Sequence, residues 1–171
     1  MLNKLRGEKF MVICGIDSST SSTGWGVIDT KFNDNLRLID YGAIKPNKKL
    51  ETIDRIIYIE KELKRIIQNY KPEFVVIEEM NVTRNMKSVR TLAGLITEIE
   101  VMLRNKEALY VKMTPSEWRK KVGIKCKNDR EILKKASLDY VFEKYNENVS
   151  DDEADAICIA EAGSKVEIEN D

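Results

Sequence analysis

The chain begins with apolar runs of strand length that are separated by short polar turns. Residues 10–17 (FMVICGID) form a nearly continuous apolar run, which is typical of a strand buried on both faces. Residues 23–29 and 36–44 have the pattern of two further strands, joined by short turns. Three strands in succession predict an antiparallel meander.

Beyond residue 50 the apolar residues recur at helical spacing. Residues 50–70 form one such segment, with Ile56, Ile59, Leu63 and Ile66 on one face. Lys71-Pro72 ends this helix, because proline cannot continue it. Residues 86–105 form a second helix, and we assign its stripe to the core rather than to an interface. That stripe consists of Leu92, Ile96, Ile99 and Leu103.

Two short apolar segments, residues 74–77 and 109–113, have the pattern of a fourth and a fifth strand. After Pro115 the chain is mostly helical, and Ser150 with Glu153 has the form of a capping box that begins a last helix. The order predicts an α/β fold with a mixed five-stranded sheet, three antiparallel strands and then two parallel ones, flanked by helices. A length of 171 residues fits one domain, with a core over about residues 10–162 and a short acidic tail.

The composition distinguishes a folded protein without a membrane segment from a disordered or membrane-spanning one. The chain is 42% hydrophobic and 34% charged, which fits a folded domain and not a disordered chain. No apolar run reaches the roughly 18–20 residues of a membrane helix, and no apolar segment of a signal peptide precedes the first strand. We therefore expect a cytoplasmic protein without a membrane segment.

The chemistry available to the chain is limited by two residue types. It has no histidine, and its three cysteines, Cys14, Cys126 and Cys158, are far apart. A structural zinc site is therefore excluded, as are Ser-His and Cys-His nucleophile pairs. An enzyme with this composition would use carboxylates, lysines or a bound metal.

The charges are unevenly distributed although they sum to zero. Residues 104–144 carry an excess of six positive charges, and residues 145–171 an excess of eight negative charges. A basic segment of this kind favours contact with a polyanion. The acidic segment could hold a metal or simply form a solvated tail.

Acidic residues lie at the ends of three predicted core elements. Asp17 ends the first strand, the Glu78-Glu79 pair follows the fourth, and three aspartates begin the last helix, namely Asp151, Asp152 and Asp155. Side chains at strand ends point to the edge of the sheet where ligands of α/β proteins bind. Each acid alone has a structural explanation, as a turn residue, an exposed strand end or a helix N-terminal acid. Together they could direct four carboxylates at one point, which suits Mg²⁺ or Mn²⁺.

Three segments, GIDSSTSSTGWGVID, VVIEEM and DDEADAICIA, resemble the RuvC family of Holliday junction resolvases, which have the ribonuclease H-like fold. The resemblance extends over about residues 12–162 and is greater to bacteriophage-encoded than to cellular members. By position, Asp17, Glu78, Asp152 and Asp155 match the catalytic, metal-binding carboxylates of the family. The resemblance implies hydrolysis of a DNA phosphodiester with two Mg²⁺ ions per site, for which Mn²⁺ can substitute. Strand alternation points Glu79 away from Glu78, and Asp151 is likewise a neighbour that could be mistaken for a ligand.

The resemblance also implies partners. The substrate would be branched DNA, meaning four-way junctions, three-way junctions and forks, and a homodimer would match the two opposed strands of a junction. The basic segment would hold DNA phosphates, with Lys127 the best positional match and Lys121 the next. The full set of candidates is Arg119, Lys120, Lys121, Lys125 and Lys127. For each of them a solvated helix face is the alternative.

Two departures from the family pattern bear on specificity. The usual Gly-x-Asp-Pro-Gly turn is here Gly15-Ile16-Asp17-Ser18-Ser19. The aromatic residue that cellular members carry after the strand glutamate is replaced by Asn81, with Met80 and Val82 the nearest apolar residues before Met86. Without a stacking wedge, we expect relaxed branch selectivity and a weak sequence preference.

Three other functions stay open at this point. The segment DSSTSSTG, residues 17–24, also resembles the first phosphate loop of sugar kinases and actin-like ATPases, although 171 residues leave no room for their second domain. A non-catalytic module that binds branched DNA is the second alternative. A related nuclease that acts on RNA or linear DNA is the third.

Overall fold

Five strands form one mixed sheet in the computed structural model, which describes residues 12–32, 35–79, 85–125 and 129–166. The strands are β1 (Val12–Asp17), β2 (Thr23–Phe32), β3 (Asn35–Ile44), β4 (Phe74–Glu78) and β5 (Leu109–Met113). Their order in the sheet is β3-β2-β1-β4-β5. The pairs β1–β2 and β2–β3 are antiparallel, whereas β1–β4 and β4–β5 are parallel. The predicted topology is confirmed, and β2 runs past its predicted end because it continues to pair with β3.

The helices of the described residues are α1 (Thr52–Tyr70), α2 (Met86–Asn105), α3 (Pro115–Val122), α4 (Arg130–Tyr145) and α5 (Asp151–Gly163). Helix α1 ends at Tyr70 as predicted, and Lys71 follows in the left-handed conformation with φ 47°. Helix α5 begins with the predicted Ser150–Glu153 capping box. Within these ranges no helix is both long enough and apolar enough to span a lipid bilayer.

Helices cover both faces of the sheet, so the central strand β1 is buried on each side. Its alternate residues belong to two separate cores: Cys14 and Ile16 pack with residues of α1 and α2, and Ile13 packs with residues of α3, α4 and α5. This arrangement explains the continuous apolar run of β1. The predicted core stripe of α2 is confirmed. Ile96, Ile99 and Leu103 are fully or nearly buried, and Leu92 is partly buried against the same core.

Helix α5 lies unusually close to the sheet because the strands beneath it present glycine. A Cβ atom added at Gly15 would come within 2.2 Å of the Ala156 carbonyl oxygen, and one at Gly24 within 2.0 Å of the Asp152 carbonyl oxygen. Any side chain at either position would therefore displace the helix. The close approach brings the first turn of α5 to the end of β1, where Asp17 lies.

Candidate active site

The parallel pairing of β1 and β4 places two predicted carboxylates next to each other. Ile16 is in register with Ile77, so the residues that follow, Asp17 and Glu78, lie side by side at the carboxyl ends of the two central strands. Their carboxyl groups are close enough to hydrogen-bond to each other. Two strand ends thus meet at one point of the sheet edge, as the sequence predicts.

The two aspartates of α5 add to this pair. Burial raises the pKa of Asp17 well above its ordinary value, and the negative charges of Glu78, Asp155 and Asp152 raise it further. A buried carboxyl surrounded by other carboxylates can ionise only if a cation compensates the charge. The structure therefore brings all four predicted residues into one electrostatic group.

Asp155 has a cationic partner in helix α3. Its Oδ2 atom lies 3.6 Å from Nη2 of Arg119, and both side chains are largely buried. Burial raises the pKa of Asp155 to about 6, while the Ser137 hydroxyl and the Arg119 guanidinium oppose this rise and Glu78 adds to it. Among the described residues, the buried Asp155 Oδ1 and Arg119 Nε atoms have no hydrogen-bond partner. Asp155 consequently keeps one oxygen available to a further ligand.

Glu78 is held by a tryptophan that sequence analysis missed. Nε1 of the fully buried Trp118 donates a hydrogen bond to Glu78 Oε1 over 2.9 Å. The guanidinium of Arg119 lies over the same indole ring, 4.3 Å from its centroid. The signal that could have revealed Trp118 is the segment Thr114-Pro115-Ser116-Glu117, a capping box with proline at its first helical positions, which begins α3 directly after β5.

The acidic neighbours of the four carboxylates have other partners. Glu79 forms an ion pair with Lys112 of β5, whose Nζ atom is 3.3 Å from Glu79 Oε2. Asp151 forms one with Lys134 of α4 at 2.5 Å. Each of these two residues thus has a lysine partner, and their role as neighbours of the site rather than ligands stays a prediction.

The donor set fits a hard divalent cation. Carboxylate oxygens are the ligands that Mg²⁺ and Mn²⁺ prefer. The buried Asp155 Oδ1 atom accepts no hydrogen bond from the part of the chain that the structure describes, so it could bind such an ion. Over the described ranges, no three acidic or sulfur side chains are already gathered around a point that could hold an ion. The side chains meet in pairs instead, Asp17 with Glu78 and Asp155 with Arg119.

The basic residues named as DNA ligands occupy different positions. Arg119 lies at the carboxylates, whereas Lys120 and Lys125 are exposed. Lys121 Nζ donates to the Lys165 carbonyl over 3.1 Å, and Lys165 Nζ donates to the Lys121 carbonyl over 3.0 Å, so Lys121 links α3 to the end of α5. The remaining candidate, Lys127, and the residues at the wedge position, Met80, Asn81 and Val82, lie outside the described residues.

Comparison with known proteins places the chain in a family. The family model described as crossover junction endodeoxyribonuclease RuvC matches residues 13–162. The RuvC protein of Alkaliphilus oremlandii is 32% identical over 164 residues, which are 92% of this chain and 98% of that protein. The RuvC protein of Synechocystis is 27% identical over 150 residues, covering 87% and 88%. The structure of Thermus thermophilus RuvC in complex with a Holliday junction substrate superposes with a TM-score of 0.75 at 18% identity, covering 89% and 92%. The chain therefore belongs to the RuvC family of crossover junction endodeoxyribonucleases.

Proposed function

We propose that Asp17, Glu78, Asp152 and Asp155 form the metal-dependent active site of a structure-selective endonuclease that cleaves Holliday junctions. Membership of the RuvC family supports a junction endonuclease that acts in DNA recombination and repair. The observation that carries the assignment of the site is the position of Asp17, half-buried beside Glu78 and close to Asp152 and Asp155, because a cation would compensate the charges of these carboxylates. The resemblance to bacteriophage-encoded members and the cytoplasmic location stay predictions.

Each carboxylate has a role that follows from its place in the fold. Asp17 lies between the Glu78 side and the α5 side, so it is the residue that would bridge two ions. Glu78 would complete one ligand shell, and Asp152 with Asp155 the other. When bound, two Mg²⁺ or Mn²⁺ ions would supply an activated water and stabilise the leaving oxygen.

The DNA would be held by the basic residues that follow β5. Lys120 and Lys125 are exposed and free to contact phosphates, and Arg119 lies at the carboxylates themselves. Lys121 and Lys127 complete the proposed set. Contacts of this kind position the backbone of the DNA without reading its sequence.

A homodimer belongs to the same proposal. Two copies related by a two-fold axis would present two active sites to the two opposed strands of a junction. Ile53 and Ile57, one turn apart on α1, are 61% and 56% exposed and are candidates for the contact between copies. Light scattering of the purified protein measures the oligomeric state directly.

The test of the function compares the wild type with Asp17→Asn on labelled four-way, three-way, forked and linear duplex DNA in Mg²⁺. We expect the wild type to cut the branched substrates, including three-way junctions and forks. Asp17→Asn should bind them equally well but not cut them, because the substitution removes a ligand charge without changing the shape of the side chain. Asp54→Asn, an exposed aspartate of α1, is the matched control and should cut normally.

Other results of this comparison would support the alternatives. Binding without cutting by the wild type would indicate a branch-binding module, and equal cutting of linear DNA or RNA a less selective nuclease. Cleavage confined to four-way junctions at one short sequence would contradict the relaxed specificity. Tight ATP binding would favour the kinase-like phosphate loop.

A further inference from the structure

We propose that Trp118 is a positioning residue for Glu78 through a hydrogen bond, and that Arg119, stacked on its indole, restrains Asp155 through an ion pair. Helix α3 would then set the orientation of two carboxylates that come from separate elements. This inference rests on the proposed function, because it takes Glu78 and Asp155 as metal ligands. It adds Trp118, which would act only through a carboxylate, and gives Arg119 a role at Asp155 besides the proposed contact with DNA.

Trp118 and Glu78 are joined by a side-chain hydrogen bond. The Trp118 indole N–H donates to Oε1 of Glu78 over 2.9 Å, and the indole is fully buried. A hydrogen bond to a charged acceptor is about twice as strong as one between neutral groups. This hydrogen bond restricts the rotation of the Glu78 carboxylate, which lies beside Asp17.

The donor to Glu78 is an indole N–H group. An indole N–H donates but does not accept, carries no charge and does not ionise near neutral pH. It can therefore orient Glu78 without competing for a cation and without neutralising the carboxylate. A lysine or arginine in the same place would offset part of the negative charge of Glu78, as Arg119 does for Asp155.

Two adjacent residues of α3 contact the Glu78 and Asp155 carboxylates. Arg119 follows Trp118 in the chain, covers its ring at 4.3 Å and approaches Asp155 Oδ2 at 3.6 Å. Helix α3 is itself anchored at both ends, by the Thr114–Glu117 capping box and by Gly123, whose φ of 89° ends the helix. A rigid helix therefore contacts the β4 side and the α5 side of the site at adjacent residues.

The experiment measures Mn²⁺ affinity by calorimetry for Trp118→Phe, which keeps an aromatic ring but lacks the N–H donor. Removing a partner that orients a metal ligand costs about 10–100-fold in metal affinity or activity. We expect a loss in that range, with a folded protein by urea titration. The matched control is Trp25→Phe: the ring of Trp25 packs near Tyr70 in the opposite core, 5.8 Å between centroids, so Mn²⁺ affinity should be unchanged.

A double-mutant cycle separates a positioning role from a merely structural one. If Trp118 acts through Glu78, Trp118→Phe should lower Mn²⁺ affinity in the wild type but have no further effect in Glu78→Ala. Additive losses, or no loss in Trp118→Phe, would overturn the inference. Unchanged affinity in Glu78→Ala itself would instead refute the proposed metal site, so the two failures are distinguishable.

A second measurement serves if Trp118→Phe does not fold. The chain has two tryptophans, so Trp25→Phe leaves Trp118 as the sole indole. Its fluorescence should change as Mn²⁺ is added, and the change should disappear when Glu78→Ala is combined with it. If the fluorescence of the protein with Glu78 intact does not change as Mn²⁺ is added, the result would contradict the inference that Trp118 positions a metal ligand.

Discussion

At the scale of single residues, two carboxyl groups on this sheet face differ in what surrounds them, one half-buried at Asp17 and one fully buried at Glu161. Asp17 is surrounded by other carboxylates, and its pKa is raised. Glu161, 1% exposed, accepts hydrogen bonds from Tyr140, Lys144 and Tyr145 at 2.6, 2.5 and 3.0 Å. Burial by itself would raise the pKa of Glu161, but these donors more than offset it, so the pKa is lowered. Glu161 is therefore a charged, satisfied structural group, whereas Asp17 needs a cation.

Glu161→Gln should lower the free energy of unfolding by about 1–3 kcal/mol at pH 7, because an amide accepts more weakly and its NH₂ group faces donors. The contribution of a carboxylate with a lowered pKa is complete above the pKa of the unfolded chain and is lost as pH falls through the lowered value. The difference between wild type and variant should therefore shrink below about pH 4. Urea unfolding at several pH values measures it.

The control for this prediction makes the same chemical change on the surface. Glu62 pairs with Arg65 on α1, 2.8 Å apart, and the arginine side chain is 59% exposed. Glu62→Gln should change the free energy of unfolding by less than about 0.5 kcal/mol, because exposed pairs contribute little. Equal effects of the two substitutions would contradict the distinction between them.

The sequence predicts the residues of the site better than their partners. Asp17 and Glu78 could be recognised because each ends an apolar strand, and the ends of parallel neighbours meet. The contacts of Trp118 and Glu161 could not be predicted, because their partners come from distant parts of the chain. Nothing in the spacing of Tyr140 or Tyr145 indicates which acid they meet.

At the scale of elements, the position of α5 depends on glycine in β1 and β2. Gly15→Ala should lower the free energy of unfolding by about 3 kcal/mol, the upper part of the range for overpacking. The added Cβ would meet the backbone of α5 at Ala156 and Ala160, which cannot rotate away. Because α5 carries Asp152 and Asp155, any folded variant should also bind Mn²⁺ more weakly. Thermal unfolding and Mn²⁺ titration check both effects.

Gly94→Ala is the matched control for this change. Gly94 is exposed in α2, and an added Cβ would have its nearest neighbour at 3.8 Å, an ordinary contact with Ile56. Alanine is favoured over glycine inside a helix by up to about 1 kcal/mol. Stability should therefore rise slightly, and Mn²⁺ affinity should stay the same.

The boundaries of most elements could be predicted, but the region after Pro115 could be described only as mostly helical. The helix over 86–105 and the strand over 109–113 have the predicted bounds, because a continuous stripe or run marks them. In α4 the buried positions include Ser137 beside Val141, so its apolar signal is weak. The missing stripe reflects a helix that contributes polar contacts to α5 as well as apolar ones.

At the scale of the whole molecule, α3 and α4 of the basic segment and α5 of the acidic segment pack on the same face of the sheet. Substituting both Lys120 and Lys125 by alanine should weaken binding to four-way junctions and to other DNA alike, since phosphate contacts carry no sequence information. Each lost contact should reduce the slope of log affinity against log salt by about 0.9. Binding titrations at several salt concentrations measure this slope.

A control for the lysine substitutions lies in the opposite layer. Lys61 of α1 is exposed, and Lys61→Ala removes one positive charge, as each substitution at Lys120 or Lys125 does, without touching the proposed DNA surface. Its salt slope should equal that of the wild type. If substitution of Lys61, Lys120 and Lys125 changed the salt slope equally, DNA affinity would depend only on the net charge of the protein. This result would contradict a defined DNA surface.

The placement of Asp17 in the first strand and of Asp152 and Asp155 in the last helix has a consequence for synthesis. Helix α5 packs on β1 and β2, so these contacts join the two extremes of the described chain. Such long-range contacts form late in folding, because the intervening loop must close first. A nascent chain that lacks α5 has Asp17 and Glu78 but only half of the proposed ligands. We therefore expect nuclease activity only after α5 has been translated, and we expect a product truncated before α5 to be inactive.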